Sequence, residues 1–301
     1  MPNNLEMDAA LVSRLLTVQF PRWASLSITP VESAGTDNAL FRLGADMCVR
    51  LPRNERVAAQ VAKEQRWLPQ LAPHLPLAIP MPLVMGEPAD EFPWHWSVYG
   101  WLEGETATIE GMDDQHELAA SLAAFVGALR GVDATNGPAS GAHNFFRGIS
   151  LAMRDKVTRE SIAVLNGVLA PEALVGVTEA WQNALDTPRW RQPSVWVHGD
   201  IHGGNLLMER GRLSAVIDFG GLGVGDPACD LIVAWNFLSG ESRGAFRVAV
   251  AVDDATWARG RGWALSISLV ALPYYLHTNP AIVANSHWTI GEVLADFRTG
   301  G

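Results

Sequence analysis

Apolar residues recur at helical spacing from Met7 to Phe20, and Pro21 ends the pattern. The period then changes. Ser27 to Ser33 alternates, Ala39 to Leu43 alternates less cleanly, and Met47 to Leu51 forms a third strand-like run bounded by Pro52. Gly35-Thr36-Asp37-Asn38 and Gly44-Ala45-Asp46 supply turn chemistry between them. This is the pattern of an antiparallel meander. An amphipathic helix over Arg56 to Leu71 follows, then a Pro-rich run from Pro73 to Pro88 and another strand at Trp96 to Tyr99. Residues 1–102 thus read as a small α+β lobe. Gly100-Trp101-Leu102-Glu103-Gly104-Glu105 marks a crossing. Beyond it, residues 103–301 read as a mainly helical lobe, with helical patterns at Asp114 to Leu129, Ser150 to Leu165, Pro171 to Leu185, Pro227 to Leu238 and Thr256 to Leu276. There is no internal repeat, low-complexity segment or charge run.

A length of 301 residues suits two domains or one two-lobed unit. Apolar residues make up 48% of the chain, enough for a sizeable core. The two cysteines, Cys48 and Cys229, lie in apolar surroundings, and two buried thiols in a reducing cytoplasm fit them better than a disulfide. The opening Met1-Pro2-Asn3-Asn4-Leu5-Glu6 does not resemble a secretory leader. The longest apolar run, Trp263 to Leu276, is shorter than a membrane span and contains Ser266, Ser268 and Pro273, so it reads as a buried helix. A net charge of −10 argues against nucleic acid and anionic membrane as partners. Residues 1–102 carry a net −2 and residues 103–301 a net −8. The acidic half either serves solubility or favours a cationic ligand.

The chemistry concentrates in His198-Gly199-Asp200-Ile201-His202-Gly203-Gly204-Asn205, followed by Val216-Ile217-Asp218-Phe219-Gly220. An Asp, an Asn five residues on and a second Asp thirteen beyond that match the needs of phosphoryl transfer from a nucleotide. The first carboxylate takes the proton of an attacking hydroxyl. The other two side chains hold Mg²⁺ on the phosphates. Asp226-Pro227 reads as an N-cap followed by proline at the first helical position.

These motifs, with Val197-His198-Gly199-Asp200, Gly204-Asn205-Leu206-Leu207, Ile217-Asp218-Phe219 and Gly225-Asp226-Pro227-Ala228-Cys229-Asp230-Leu231, resemble those of the aminoglycoside phosphotransferase family. These are small-molecule kinases with a protein-kinase-like two-lobed α+β fold. A looser likeness runs from about Val31 to the C-terminal helices. The resemblance implies ATP (or GTP) and Mg²⁺ as cofactors, Asp200 as the base, Asn205 and Asp218 as metal ligands, and Asp230 as a buried brace of the catalytic loop. By the same alignment, Gly100 and Leu102 offer backbone groups to the adenine edge. The third strand carries Arg50 where the familiar pattern has Lys, and Glu64 on the following helix matches its partner. A guanidinium holds phosphate oxygens bidentately and stays charged. The glycine-rich loop is reduced to Gly35-Thr36-Asp37-Asn38. His198 either braces the loop through its ring nitrogens or serves as a second base, His202 either contacts the acceptor or packs, and Arg147, a lone charge in an aromatic loop, is expected to pair with an acid of the catalytic lobe.

The acceptor is less well specified, because relatives phosphorylate aminoglycosides, macrolides, choline, homoserine and methylthioribose. The acidic second lobe points to an aminoglycoside-like, cationic hydroxyl compound. A macrolide or a small metabolite (an amino sugar, a choline-like compound) is the alternative within the class. A nucleotide-binding pseudokinase is an alternative of another class, against which Asp200, Asn205 and Asp218 speak. A protein kinase is disfavoured, since A-P-E is missing and only a short stretch separates Asp218-Phe219-Gly220 from Asp226.

Overall fold

The computed structural model describes residues 6–31, 37–108 and 114–300. Helix α1 (Ala9–Gln19) precedes strands β1 (Ile28–Pro30), β2 (Asn38–Leu43) and β3 (Met47–Pro52), helix α2 (Glu55–Leu71), and strands β4 (Pro82–Gly86) and β5 (Trp96–Gly100). The five strands form one sheet of order β1-β2-β3-β5-β4, antiparallel throughout. The alternation of β2 buries Ala39, Phe41 and Leu43 on one face against Leu11, Val12, Leu15 and Leu16 of α1. Leu40 blurs this alternation in the sequence because it points the other way and packs against a second cluster that spans both lobes. The strand expected over Ser27 to Ser33 is shorter, β1, and its far end lies outside the described residues. The Pro-rich run contains a strand the sequence pattern hides. β4 is an edge strand opening on Pro82, a position where a missing N–H costs no ladder bond.

The rest of the chain is mainly helical: α3 (Gln115–Gly131), α4 (Asp155–Val164), α5 (Pro171–Asp186), α6 (Val233–Asn236), α7 (Gly240–Val250), α8 (Asp254–Tyr275) and α9 (Pro280–Arg298). Short strands are set among them. β6 (Glu105–Thr106), β8 (Leu206–Glu209) and β9 (Arg212–Val216) make a three-stranded sheet, and β7 (Val195–Val197) pairs with β10 (Gly223–Gly225). The helix expected over Ser150 to Leu165 opens as a 3-10 turn, Leu151–Arg154, before α4. That expected over Pro227 to Leu238 is a 3-10 stretch, Pro227–Ile232, followed by one turn of α6.

The apolar run from Trp263 is the centre of α8, packed on α5, α9 and the 3-10 stretch, and buried on nearly all sides. Among the described residues no helix is long and apolar enough to cross a membrane. One large cluster fills the helical lobe and continues into the sheet lobe through Cys48, Trp67, Leu68, Leu71 and Tyr99. Helix α2 is therefore fastened to both lobes. Both cysteines are buried free thiols.

Candidate active site

The loop leaving β7 is built around Asp230. Its carboxylate oxygens accept the backbone N–H groups of His198 at 2.8 Å and of Gly199 at 2.7 Å. Burial raises the Asp230 carboxyl to about 6, and the two N–H donors oppose that rise. Gly199 is at φ +84°, and a Cβ there would come within 2.6 Å of the Gly221 carbonyl and 2.8 Å of Arg147 Cβ. The buried His198 ring accepts the Asp200 N–H at Nδ1 (3.2 Å), so its Nε2 carries the proton and donates to the Ile217 carbonyl at 3.1 Å. Burial holds this imidazole below its usual range, which keeps it neutral. One ring thus ties the segment at Asp200 to the residue before Asp218.

The same two segments are joined a second time. Asn205 donates from Nδ2 to the Asp200 carbonyl at 2.9 Å, and the Ile217 N–H donates to the Asn205 carbonyl at 2.9 Å. Asp218 itself is left-handed, at φ +63° and ψ +74°, and its Oδ1 accepts the Gly220 N–H at 3.3 Å. A non-glycine residue in that region is uncommon and points a side chain that regular backbone would not. The side chains of Asp200 and Asp218 keep 39% and 50% of their surface exposed. Asp200 lines a cavity of about 580 Å³, together with residues of α6, α8, α9 and the loop at Gly203 and Gly204. Arg147 Nη2 lies 3.4 Å from Asp200 Oδ1, and His202 Nε2 lies 3.7 Å from Oδ2.

Arg50 reaches from β3 toward this centre. Its Nη1 donates to Glu64 Oε2 at 3.1 Å and its Nη2 stands 3.9 Å from Asp218 Oδ1. Glu64, 3% exposed, also accepts the Tyr99 hydroxyl. Tyr99, at the end of the expected strand, is a buried ring that also helps to hold Glu64. Sequence reasoning missed Lys63 altogether. Its Nζ donates to the carbonyls of Gly220 (2.8 Å), Leu222 (3.0 Å) and His143 (3.3 Å). Burial lowers this ammonium to about 8. The one signal available was that a chain with 22 Lys and Arg has only two lysines, and one of them adjoins Glu64.

Gly100 and Leu102 lie where β5 leaves the sheet. The Gly100 N–H is already bonded to the Met81 carbonyl at 2.9 Å, so it is not open to a ligand, while Leu102 has no backbone hydrogen bond among the described residues. The turn Gly35-Thr36-Asp37-Asn38 falls partly outside the described residues.

The donor set suits Mg²⁺. Asp218 presents a half-exposed carboxylate, and the hydrogen bond from Asn205 Nδ2 turns its Oδ1 away from the Asp200 carbonyl. Both are hard oxygen donors. Mg²⁺ takes one or two carboxylates and completes its shell with phosphates and water. Among the described residues no group of three or more His, Cys, Asp or Glu is gathered for a metal, so these two would hold the ion together with a nucleotide.

A family model described as the phosphotransferase enzyme family matches residues 27–263. A wild-type aminoglycoside 2′-phosphotransferase-IIIa solved with GDP superposes with a TM-score of 0.76 at 17% identity, covering 96% of this chain and 99% of the other. A GDP and kanamycin complex of an aminoglycoside phosphotransferase gives 0.71 at 21% identity, with 95% and 99% covered. The apoenzyme of macrolide 2′-phosphotransferase MphH from Brachybacterium faecium gives 0.62 at 24% identity, with 95% and 98% covered. No curated protein sequence matches. At these identities the solved structures speak for the fold. The family match spans most of the length, including β3, α2 and the segments of Asp200 and Asp218, and on it the chain belongs to the phosphotransferase enzyme family.

Proposed function

We propose that this protein transfers the terminal phosphoryl group of ATP or GTP to a hydroxyl of a small molecule held in the cavity beside Asp200. One observation carries the reading. Asp200 faces that cavity, and its loop is tied by two hydrogen-bond routes to the segment presenting Asp218. Asp200 would orient the acceptor hydroxyl and take its proton late in a loose transition state. Arg50, buttressed by Glu64, would clamp phosphate oxygens. Gly100 and Leu102 mark the edge for the base, with Leu102 the open one. Asn205 and Asp218 would hold Mg²⁺, which when bound neutralises charge on the phosphates. The cavity is of ordinary size for a small-molecule site.

Aminoglycoside and macrolide hydroxyls are the two leading acceptor classes. The cavity wall sets apolar Ile232, Phe237, Ile267 and Ile282 beside polar Asn236, Ser268, Asn285 and Ser286, which suits an acceptor that carries both hydroxyls and an apolar face.

The test is Asp200→Ala with labelled ATP and a panel of acceptors. Transfer should fall by about 10²–10⁴-fold while nucleotide binding persists. Turnover close to wild type would refute the assignment.

A further inference from the structure

We infer that His202 holds the acceptor hydroxyl against Asp200 by donating a hydrogen bond to its oxygen, and that Oδ2 is the atom of Asp200 that takes the proton. This rests on the reading of the cavity as the acceptor site. Both side chains line that cavity. His202 Nε2 stands 3.7 Å from Asp200 Oδ2, too far for a direct hydrogen bond. A gap of that size between a donor and an acceptor is one that a single O–H group can bridge. An oxygen about 2.8–3.0 Å from each atom accepts from the ring and donates to the carboxylate.

The ring is set to donate and not to receive. Its Nδ1 accepts the Gly204 N–H at 3.1 Å, so in the neutral imidazole the proton sits on Nε2. Gly204 lets the ring lie this close, because a Cβ there would come within 2.8 Å of His202 Cε1 and 3.0 Å of Nδ1. The His202 backbone is extended, and its carbonyl accepts the Asn205 N–H at 2.8 Å, which closes the turn Gly203–Asn205 beside the ring. With Nδ1 engaged and Nε2 protonated, His202 has no lone pair left to act as the base. His198 has none either, since both its ring nitrogens are engaged. The proton therefore goes to Asp200.

The two oxygens of Asp200 are not equivalent. Oδ1 faces the Arg147 guanidinium at 3.4 Å. Arg147 is itself held, with a side chain 14% exposed and a carbonyl that accepts Asn144 Nδ2 at 3.0 Å. A guanidinium offers only donors, so a proton added at Oδ1 would face another N–H. That leaves Oδ2, the oxygen beside His202. In the transfer the acceptor oxygen bonds to the terminal phosphorus, the bond from that phosphorus to the bridging oxygen breaks, and the nucleoside diphosphate leaves with that electron pair. The acceptor proton passes to Oδ2, and His202 keeps its own. A donor to the attacking oxygen makes it a weaker nucleophile. In a loose transition state little charge moves on that oxygen, and its placement matters more.

Two substitutions divide the ring between its nitrogens. His202→Asn keeps an acceptor where Nδ1 lies, and so the bond to Gly204, but has no donor that reaches toward Asp200. His202→Gln carries an N–H where Nε2 lies and loses the bond to Gly204. The experiment follows consumption of labelled ATP and GTP with Mg²⁺ in the presence of kanamycin, of erythromycin, or of water as the only acceptor, and records Tm. His202→Asn should lower kcat about 100-fold, the scale of a 1 Å misplacement, with Tm and nucleotide KM as in wild type. His202→Gln should stay within about tenfold of wild-type kcat, since one neutral hydrogen bond replaces another, and should be the less stable of the two variants. A ring that only shapes the loop predicts the reverse order. His202→Asn turning over as fast as His202→Gln, or as fast as wild type, would overturn the inference. Asp200→Ala run in parallel separates the two claims. Transfer lost in Asp200→Ala but untouched in His202→Asn would defeat the role of His202 and leave the proposed reaction standing. No nucleotide consumption by wild type under any of the three conditions would defeat both.

Discussion

Lys63 donates from Nζ to the carbonyl of Gly220 at 2.8 Å, two residues beyond Asp218. Its neighbour on α2, Glu64, holds Arg50, which itself stands 3.9 Å from Asp218. Two consecutive residues of one helix thus control the backbone behind Asp218 and the guanidinium in front of it. Removing the strut should let the Asp218 segment drift. Lys63→Met is expected to lower kcat by up to about 100-fold, the scale of a 1 Å misplacement, with a smaller effect on acceptor KM. It also strips donors from three carbonyls, at about 1–3 kcal/mol for each that stays buried and unpaired, so Tm should fall. Wild-type kcat in a folded Lys63→Met protein would show that the strut does not position Asp218.

Arg50 poses a different problem, because its loss also strands a buried carboxylate. Arg50→Ala should raise nucleotide KM, lower kcat and destabilise the fold by up to about 3–5 kcal/mol, since Glu64 would lose its ion partner. Adding Glu64→Gln should recover much of the stability but not the nucleotide affinity. Arg50→Lys should keep part of the activity, with charge retained and the fork lost. If the double variant regains both Tm and nucleotide KM, Arg50 is a structural ion-pair residue and the phosphate anchor lies elsewhere.

Asp218→Asn offers a clean probe of the metal proposal, since asparagine tolerates the left-handed backbone found there. The fold should survive, and the substitution removes the charged member of the ligand pair. The Mg²⁺ concentration for half-maximal activity should rise at least tenfold. An unchanged Mg²⁺ titration would place the ion on other ligands.

The fold was legible where one period dominates a segment. Strands β2, β3 and β5 and helices α1, α2, α3 and α5 lie within a few residues of their patterns. It was illegible where the environment overrides the pattern. Strand β4 hides in a Pro-rich run because only an edge strand accepts those prolines. Helix α9 passed unnoticed although Asn279-Pro280 is an N-cap signal, and Asn279 does accept the Ile282 N–H. Helix α7 has charged residues spread along it and only a Ser239–Ser242 capping box to announce it. In the candidate site, short-range motifs singled out Asp200, Asn205 and Asp218, whose segments the structure joins through His198 and Asn205. The contacts of Lys63 with Gly220, of Tyr99 with Glu64, and of Arg259 with Asp226 at 2.7 Å join residues tens of positions apart, and no local spacing encodes them. The charge of the second half is a sum over 199 residues and does not say which of them face the cavity.

The Arg259–Asp226 pair should matter for stability and little for chemistry. Both side chains are buried. Arg259 also donates to the Pro188 carbonyl at 2.7 Å, so it ties α8 to the start of the 3-10 stretch and to the segment before β7. Arg259→Leu leaves Asp226 charged without a partner and is expected to cost about 3–5 kcal/mol. Asp226→Asn with Arg259→Leu should recover part of that. Chemical denaturation reads both. A change of less than about 1 kcal/mol in Arg259→Leu would mean that water relieves the orphaned carboxylate.

Asp230 makes the stability of the Asp200 loop depend on pH in the less usual direction. Its native carboxyl sits near 6, above the 3.8 of an ordinary Asp, because burial outweighs the N–H groups of His198 and Gly199. A native value above the unfolded one means that the folded state binds the proton more tightly. This group therefore adds stability as pH falls through 6 toward 4, and subtracts it above about 6. Asp230→Asn removes that titration. It also replaces one acceptor oxygen by an amide that cannot receive the second N–H, so the variant should be the less stable at any pH. The gap in Tm between wild type and Asp230→Asn should then be wider at pH 5 than at pH 7.5, because only wild type gains on acidification. Differential scanning at the two values gives the comparison directly. A gap that is constant, or narrower at pH 5, would mean that the Asp230 carboxylate is ionised throughout and that the two backbone donors outweigh its burial.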